Sequence, residues 1–250
     1  MENLTQIISG FDTISLSQMD GVKLMNRTDT KFTFSCLKLN ELLKNIKPFY
    51  NILDIKGQLI QDYKSLYYDT EDRKFYIDHH NRRVNRNKIR FRQYVGSDLT
   101  FLEIKLKNNK GRTIKKRIKV LDGIPNKISK EQSTFIKKII GKNIDVSAQQ
   151  WISFRRITLV SKKDKERLTI DIDLNFSNEI KTGNLDYLAI AEVKQERMSR
   201  SSIFITKAKE MGILPFRLSK YCISTLQLNP DIKKNRFKKK ELFINKLKYA

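Results

Sequence analysis

The sequence predicts an α+β chain, mainly β, built on an antiparallel sheet with helices outside it. Stretches such as Lys88-Ile89-Arg90-Phe91-Arg92 and Phe101-Leu102-Glu103-Ile104-Lys105-Leu106-Lys107 alternate charged and apolar residues with a period of two. On a β-strand that period sends the charges to one face and the apolar groups to the other. The turn sequences Gly96-Ser97-Asp98 and Asn108-Asn109-Lys110-Gly111 separate three such stretches as hairpins do. Hairpin connections make neighbours antiparallel. Which face points inward is left open by the alternation alone. If the sheet closes on itself, the charged face lines a wet interior suited to phosphate.

The elements follow in order. Residues 14–19 and 37–45 read as short helices, and residues 28–35 between them as a strand, with Arg27, Asp29 and Lys31 of one parity. Residues 64–69 are strand-like. Residues 71–80 can be read as helix, and the polar, basic stretch 81–87 as a loop. The three alternating strands lie near 88–95, 99–107 and 112–120. Residues 129–140 read as a helix closed by Gly141, a residue suited to a C-cap. Strands recur near 151–160, 166–175 and 186–194. Ser199 suits the N-cap of a helix over about 201–211 that stops at Gly212. Pro215 opens a last extended piece over 216–225. About eight strands result, in a single domain over 1–228, with a basic tail over 229–250 that is either helical or a flexible arm.

The chain has 250 residues, 51 Lys plus Arg against 27 Asp plus Glu, and a formal net charge of +24. That excess attracts polyanions: nucleic acid, nucleotide, polyphosphate or an acidic membrane surface. No apolar run approaches the roughly 18–20 residues that span a bilayer. The first residues lack the pattern of a signal peptide. Cys36 and Cys222 are the only cysteines. The expected setting is cytoplasmic and reducing, with contact to a membrane surface left open for the tail.

Taken strand by strand, the charges fall on shared faces. Arg90 and Arg92 form one set; Glu103, Lys105 and Lys107 another; Lys115, Arg117 and Lys119 a third. Arg156 lies on the next strand, Arg167, Asp171 and Asp173 on one face of the following one, Glu192 and Lys194 on another, and Lys220 on the last extended piece. One strand of this kind is ordinarily a solvated outer face. Recurrence across the sheet points instead to phosphate, which Arg binds as a bidentate fork and Lys as a point charge. The isolated carboxylates suit a divalent metal that bridges protein to phosphate.

In order along the chain stand Arg27-Thr28-Asp29-Thr30-Lys31-Phe32, Ile89-Arg90-Phe91-Arg92, Leu102-Glu103-Ile104-Lys105, Lys115-Lys116-Arg117, Phe154-Arg155-Arg156, Arg167-Leu168-Thr169-Ile170-Asp171, Ala191-Glu192-Val193-Lys194 and Ser219-Lys220-Tyr221. Over about residues 20–226 this series resembles the VTC domain, the polyphosphate polymerase branch of the triphosphate tunnel metalloenzymes (CYTH-like). The resemblance implies an antiparallel eight-stranded tunnel barrel with flanking helices. It implies that Lys31, Arg90, Arg92, Lys105, Lys115, Arg156 and Arg167 hold the triphosphate and the growing chain, with Arg117, Lys194 and Lys220 as further phosphate ligands. Glu192 would carry Mn²⁺ or Mg²⁺, with Glu103 and Asp171 as secondary candidates. Arg155 competes with Arg156 for its place. The hydrolytic branch carries Glu-x-Glu-x-Lys on the first strand, where this chain has Arg27-Thr28-Asp29-Thr30-Lys31. Loss of a carboxylate favours synthesis over hydrolysis.

The expected activity is transfer of the ATP γ-phosphoryl group to polyphosphate, the chain leaving along the tunnel. ATP and inorganic polyphosphate are then the partners, nucleic acid is not favoured, and a membrane protein that receives the product stays open. Triphosphate hydrolysis and a non-catalytic polyphosphate- or RNA-binding module are the competing readings. His79-His80 reads as a solvated or helix-end pair, with no third histidine to complete a metal site. Tyr63, Tyr67, Tyr68, Phe75 and Tyr76 read as core, one of them free to stack on adenine. No glycine-rich phosphate loop is present.

Overall fold

The computed structural model describes residues 3–19, 28–97, 99–110, 113–197 and 202–249. The elements are α1 (Leu4–Ser9), β1 (Asp12–Ser15), α2 (Leu16–Met19), β2 (Thr28–Ser35), α3 (Leu39–Ile46), β3 (Tyr50–Asp54), β4 (Ile60–Asp69), α4 (Lys74–His80), β5 (Arg86–Tyr94), β6 (Leu99–Lys107), β7 (Thr113–Val120), α5 (Lys130–Ile140), β8 (Ser147–Ser161), β9 (Glu166–Ser177), β10 (Thr182–Leu185), β11 (Leu188–Gln195), α6 (Ile203–Glu210), α7 (Lys220–Leu228) and α8 (Lys238–Leu247). Eight strands form one continuous antiparallel path, β2-β11-β9-β8-β4-β5-β6-β7. The expected eight strands are there, but among the described residues β2 and β7 do not pair with each other, so their hydrogen bonds do not close a barrel; the free edge of β2 carries only a bridge from Phe32 to Pro215. β1, β3 and β10 attach at the side.

The two faces of this sheet are sorted by the alternation. The outer face carries Phe32 and Phe34 of β2, Leu168 and Ile170 of β9 and Ala191 and Val193 of β11, packed under α1, α3 and α6. Leu39, Leu42, Leu43 and Ile46 of α3 all lie against this face. Their spacing gives the helix one apolar stripe, and each such side chain contributes about 1.5–3 kcal/mol on burial. At the other end of the path Ile89, Phe91, Leu102 and Ile104 pack under α5. With its apolar residues facing out under helices, the sheet turns its charged residues inward.

Several expectations shift. Residues 14–19 split between the end of β1, paired in parallel with β3, and a single helical turn. The last extended piece is instead helix α7, and Lys220 stands on its first turn. Tyr221, Ile223 and Thr225 favour strand, but Ser219 caps the helix by accepting from the Cys222 N–H, and burial on every side erases any helical stripe. The N-cap of α6 is Ser202; Ser199 lies outside the described residues, as does Arg27. Asp173 does not share a face with Asp171. A register shift between Ser153 and Arg155 and a left-handed Asp173 (φ 52°) turn it outward onto Arg155. His80 is not solvated: it is fully buried at the end of α4 and accepts from the Arg236 N–H. Cys36 and Cys222 are free thiols. The tail carries α8, anchored by Phe237 and Ile244 in the core beneath α7. Among the described residues no helix is long and apolar enough to cross a membrane.

Candidate functional site

Pairing register assembles the site on the inner face. Glu192 lies opposite Lys31, while Lys194 lies opposite Asp29 on one side and Arg167 on the other. Glu192 pairs with both Lys31 and Lys194. Lys194 also donates to Thr169 Oγ1 at 3.2 Å. One strand over, Arg156 donates from Nε and Nη2 to the two oxygens of Asp171 at 2.5 and 2.8 Å, a bidentate fork. Lys220 reaches the same carboxylate from α7. On β5 and β6, Arg90 donates twice to Glu103 Oε2, at 2.9 and 2.6 Å, and once to the Tyr67 hydroxyl at 2.7 Å. Lys115 of β7 takes the other oxygen of Glu103. Each of these three carboxylates is therefore held between two cations.

Other cations on the face have no such partner. Arg92 is buried and donates Nε to Ser65 Oγ at 3.2 Å, and Lys105 lies between Lys88 and Lys115. Among the described residues neither pairs with a carboxylate. Arg117 is exposed and lies over Phe101, 4.3 Å from its centroid. The rings of Tyr63 and Phe154 stack at 5.2 Å and carry Arg92 and Arg156, with Lys220 also on Phe154. These rings help to place Arg92, which no carboxylate fixes, beside Arg156 and Lys220, which Asp171 already holds.

The electrostatics follow from crowding. Burial alone would raise Glu103, but Arg90, Arg92 and Lys115 hold it well below the usual carboxylate range. Burial likewise opposes ionisation of Asp171, and Arg156 with Lys220 overcomes it. The cations move the other way. Repulsion from Arg90, then burial, pushes Lys105 well below its ordinary value. Burial, then Arg90, lowers Arg92 to about 10. Burial, then Arg156 and Arg167, lowers Lys194. Burial, then Lys194 and Lys220, lowers Lys31 even with Glu192 in contact. Cations that mutually depress one another's protonation mark a place where an incoming anion is stabilised.

A divalent metal fits this donor set in one form. Among the described residues no three His, Cys, Asp or Glu side chains converge. Glu192 and Asp29 occupy diagonal positions on the same face, and the Glu192 side chain keeps 21% of its exposure. Mg²⁺-like ions take one or two carboxylates and fill the remaining positions with water and phosphate oxygens. Glu103 and Asp171 are committed to their paired cations.

The site residues expected from the sequence therefore meet on one face: Lys31, Arg90, Arg92, Glu103, Lys105, Lys115, Arg117, Arg156, Arg167, Asp171, Glu192 and Lys194 from strands, and Lys220 from a helix. Arg156 faces the cluster, and Arg155 is exposed on the outside with Asp173. Ser65 and Thr169 join the site without a signal in the sequence, and Tyr63, read from the sequence as core or as an adenine platform, stacks on Phe154 and carries cations. Phe154 shares parity with Arg156, the one sequence signal that could have marked it.

Residues 26–229 match the VTC domain. The fold is similar to that of a Hippeastrum protein named as a candidate adenylyl cyclase with a dominant triphosphatase activity: 14% identity, TM-score 0.52, covering 82% of this chain and 97% of that one. It is also similar to a candidate adenylate cyclase of Bacillus halodurans: 10% identity, TM-score 0.51, covering 78% and 96%. No curated protein matches the chain.

Proposed function

We propose that the chain, which belongs to the VTC domain family, is a phosphotransferase that moves the γ-phosphoryl group of ATP onto a phosphate or polyphosphate acceptor. The observation that carries this reading is the pair of inward cations without a carboxylate, Arg92 and Lys105, set beside Glu103 and Asp171, two carboxylates already saturated with cations. An unpaired cation away from water is costly until an anion arrives. Phosphoryl transfer needs positioning and charge neutralisation more than covalent help. Lys31, Arg167 and Lys194 would hold one phosphate; Arg156 and Lys220 another; Arg90, Arg92, Lys105, Lys115 and Arg117 the side of the chain. Mn²⁺ or Mg²⁺ on Glu192 would spread the charge of the γ-phosphoryl group. A terminal acceptor oxygen attacks phosphorus in line, a P–O bond forms, the bond to the β-phosphate oxygen breaks, and ADP leaves with the electron pair.

Hydrolysis of a triphosphate is the second reading, favoured by the activity ascribed to the Hippeastrum protein. Incubation with ATP and Mn²⁺ decides between them. Synthesis gives ADP with polyphosphate on a gel; hydrolysis gives orthophosphate; neither product sinks both. Glu192→Ala is expected to abolish metal-dependent turnover and keep tripolyphosphate binding. Full turnover in that variant would remove the assigned metal ligand.

A further inference from the structure

We propose that the inner face ends in a base site, where Tyr94, Leu99 and Phe101 stack on the purine of a nucleotide and Gln61 Oε1 accepts from its exocyclic amine. The proposal rests on the phosphate-binding reading above and names the substrate class: a 6-aminopurine nucleoside triphosphate, not an inorganic triphosphate.

The inner rows change character at one level. Along β5 the inward residues run Arg90, Arg92 and then Tyr94. Along β6 they run Lys105, Glu103 and then Phe101 and Leu99, with Phe101 opposite Arg92 and Leu99 opposite Tyr94. On β4, Tyr63 lies opposite Tyr94. The Tyr94 and Phe101 rings meet edge to face at 6.1 Å, and Tyr94 leans on Tyr63 at 5.0 Å. Tyr94 and Phe101 are half-buried, and Leu99 is exposed. A wall of rings and aliphatic groups, open to water, therefore begins one inward step beyond Arg92. Two residues of a strand cover about 6.6–6.8 Å, a gap that a ribose bridges when the triphosphate lies on Arg92 and Lys105. A base offers such a wall its π-face.

The polar group beside the wall lacks a donor. Gln61 is the next inward residue of β4 after Tyr63 and lies opposite Arg156. The β5–β6 hairpin comes alongside it through the Val95 N–H, which donates to the Asp62 carbonyl at 3.0 Å. Gln61 is 8% exposed. Its Nε2 donates to the carbonyls of Gln58 and Leu53 at 2.9 and 3.4 Å. Both partners are acceptors, which fixes the orientation of the amide. Among the described residues nothing donates to Oε1. A buried acceptor is costly until a donor reaches it. The 6-amino group of adenine is a donor, whereas the oxygen that replaces it in hypoxanthine would face Oε1 as a second acceptor.

The test is equilibrium binding of the whole chain, without divalent metal so that nothing turns over, to ATP, inosine triphosphate, ribose 5-triphosphate and tripolyphosphate. The first three carry the same triphosphate ester, so differences among them report the base. ATP is expected to bind at least roughly tenfold more tightly than ribose 5-triphosphate, and inosine triphosphate to lose most of that gain. Tyr94→Leu is expected to bring ATP to the level of ribose 5-triphosphate and to leave tripolyphosphate binding unchanged. Three results overturn the base site and leave the phosphate site standing: ATP no tighter than ribose 5-triphosphate, inosine triphosphate as tight as ATP, or parent-like ATP binding in the Tyr94→Leu variant. Failure of tripolyphosphate to bind the parent overturns the phosphate site and the base site with it.

Discussion

The inner face has two halves made from the same strands with the same parity. Along β9 the inward residues run Arg167, Thr169, Asp171 and then, past the bulge at Asp173, Leu174 and Phe176. Along β11 they run Lys194, Glu192 and then Ile190 and Leu188. In β8 Arg156 gives way to Phe154 and Ile152. Alternation decides which face a residue joins, and residue type along the strand decides which half. The difference separates two tasks. In the half filled by α7, each buried apolar side chain stabilises the fold by about 1.5–3 kcal/mol. In the charged half, buried ion pairs roughly break even against their desolvation, so that half holds the chemistry without supporting the fold.

The strongest way to break this division is to remove one member of a saturated pair. Arg90→Ala leaves Glu103, fully buried, with Lys115 as its remaining ion-pair partner. Loss of one partner of a buried pair costs about 3–5 kcal/mol, a drop in melting temperature of roughly 10 °C for a chain of this size. Arg92→Ala is expected to behave differently. No carboxylate is orphaned, and Arg92 is pressed down by burial and by Arg90. Its unfolding midpoint should equal or exceed that of the parent, while turnover falls about 10²–10³-fold, the usual loss for one preorganised donor. Calorimetry with a turnover assay checks the pair. Equal destabilisation of both variants would mean that Arg92 is structural too, and the division would fail.

Much of the charged half was legible because half-buried strands write their parity into the sequence. Thr28–Ser35 and Leu99–Lys107 occupy the expected positions, and the cations assigned by parity do share a face. The plugged half was not legible. Ile223, Leu226 and Leu228 belong to a helix buried on all sides, where no stripe forms and β-branched residues imitate a strand. The bulge at Asp173 reverses parity in mid-strand, which a strict period of two cannot foresee. β10 is four residues long and contains Gly183, too short and too glycine-rich to alternate visibly. The Tyr63–Phe154 stack depends on β4 lying beside β8, a pairing of residues far apart in the chain. That Lys220 joins Arg156 on Asp171 depends on the same unread helix.

Acid separates the halves most gently. His79 stands in the last turn of α4 near Phe237 and Cys222, and its buried Nδ1 has no hydrogen-bond partner. Burial, then Lys88, Arg86, Lys240 and Lys107, lowers it to about 2. The folded chain therefore keeps His79 neutral while the unfolded chain protonates it below about 6.5. Stability should fall as pH drops below that value, by about 1.4 kcal/mol per pH unit. In the charged half the sign is the same but the window is lower. Glu103 and Asp171 are depressed from ordinary values of 4.5 and 3.8, so their contribution is complete above those values and is lost only as pH falls below them. His79→Phe should flatten the melting temperature between pH 6.5 and 4.5 and leave the steeper loss below pH 4.5 in place. Parallel curves for parent and variant across the upper window would show that His79 is protonated in the fold, and the first loss would then belong to another group.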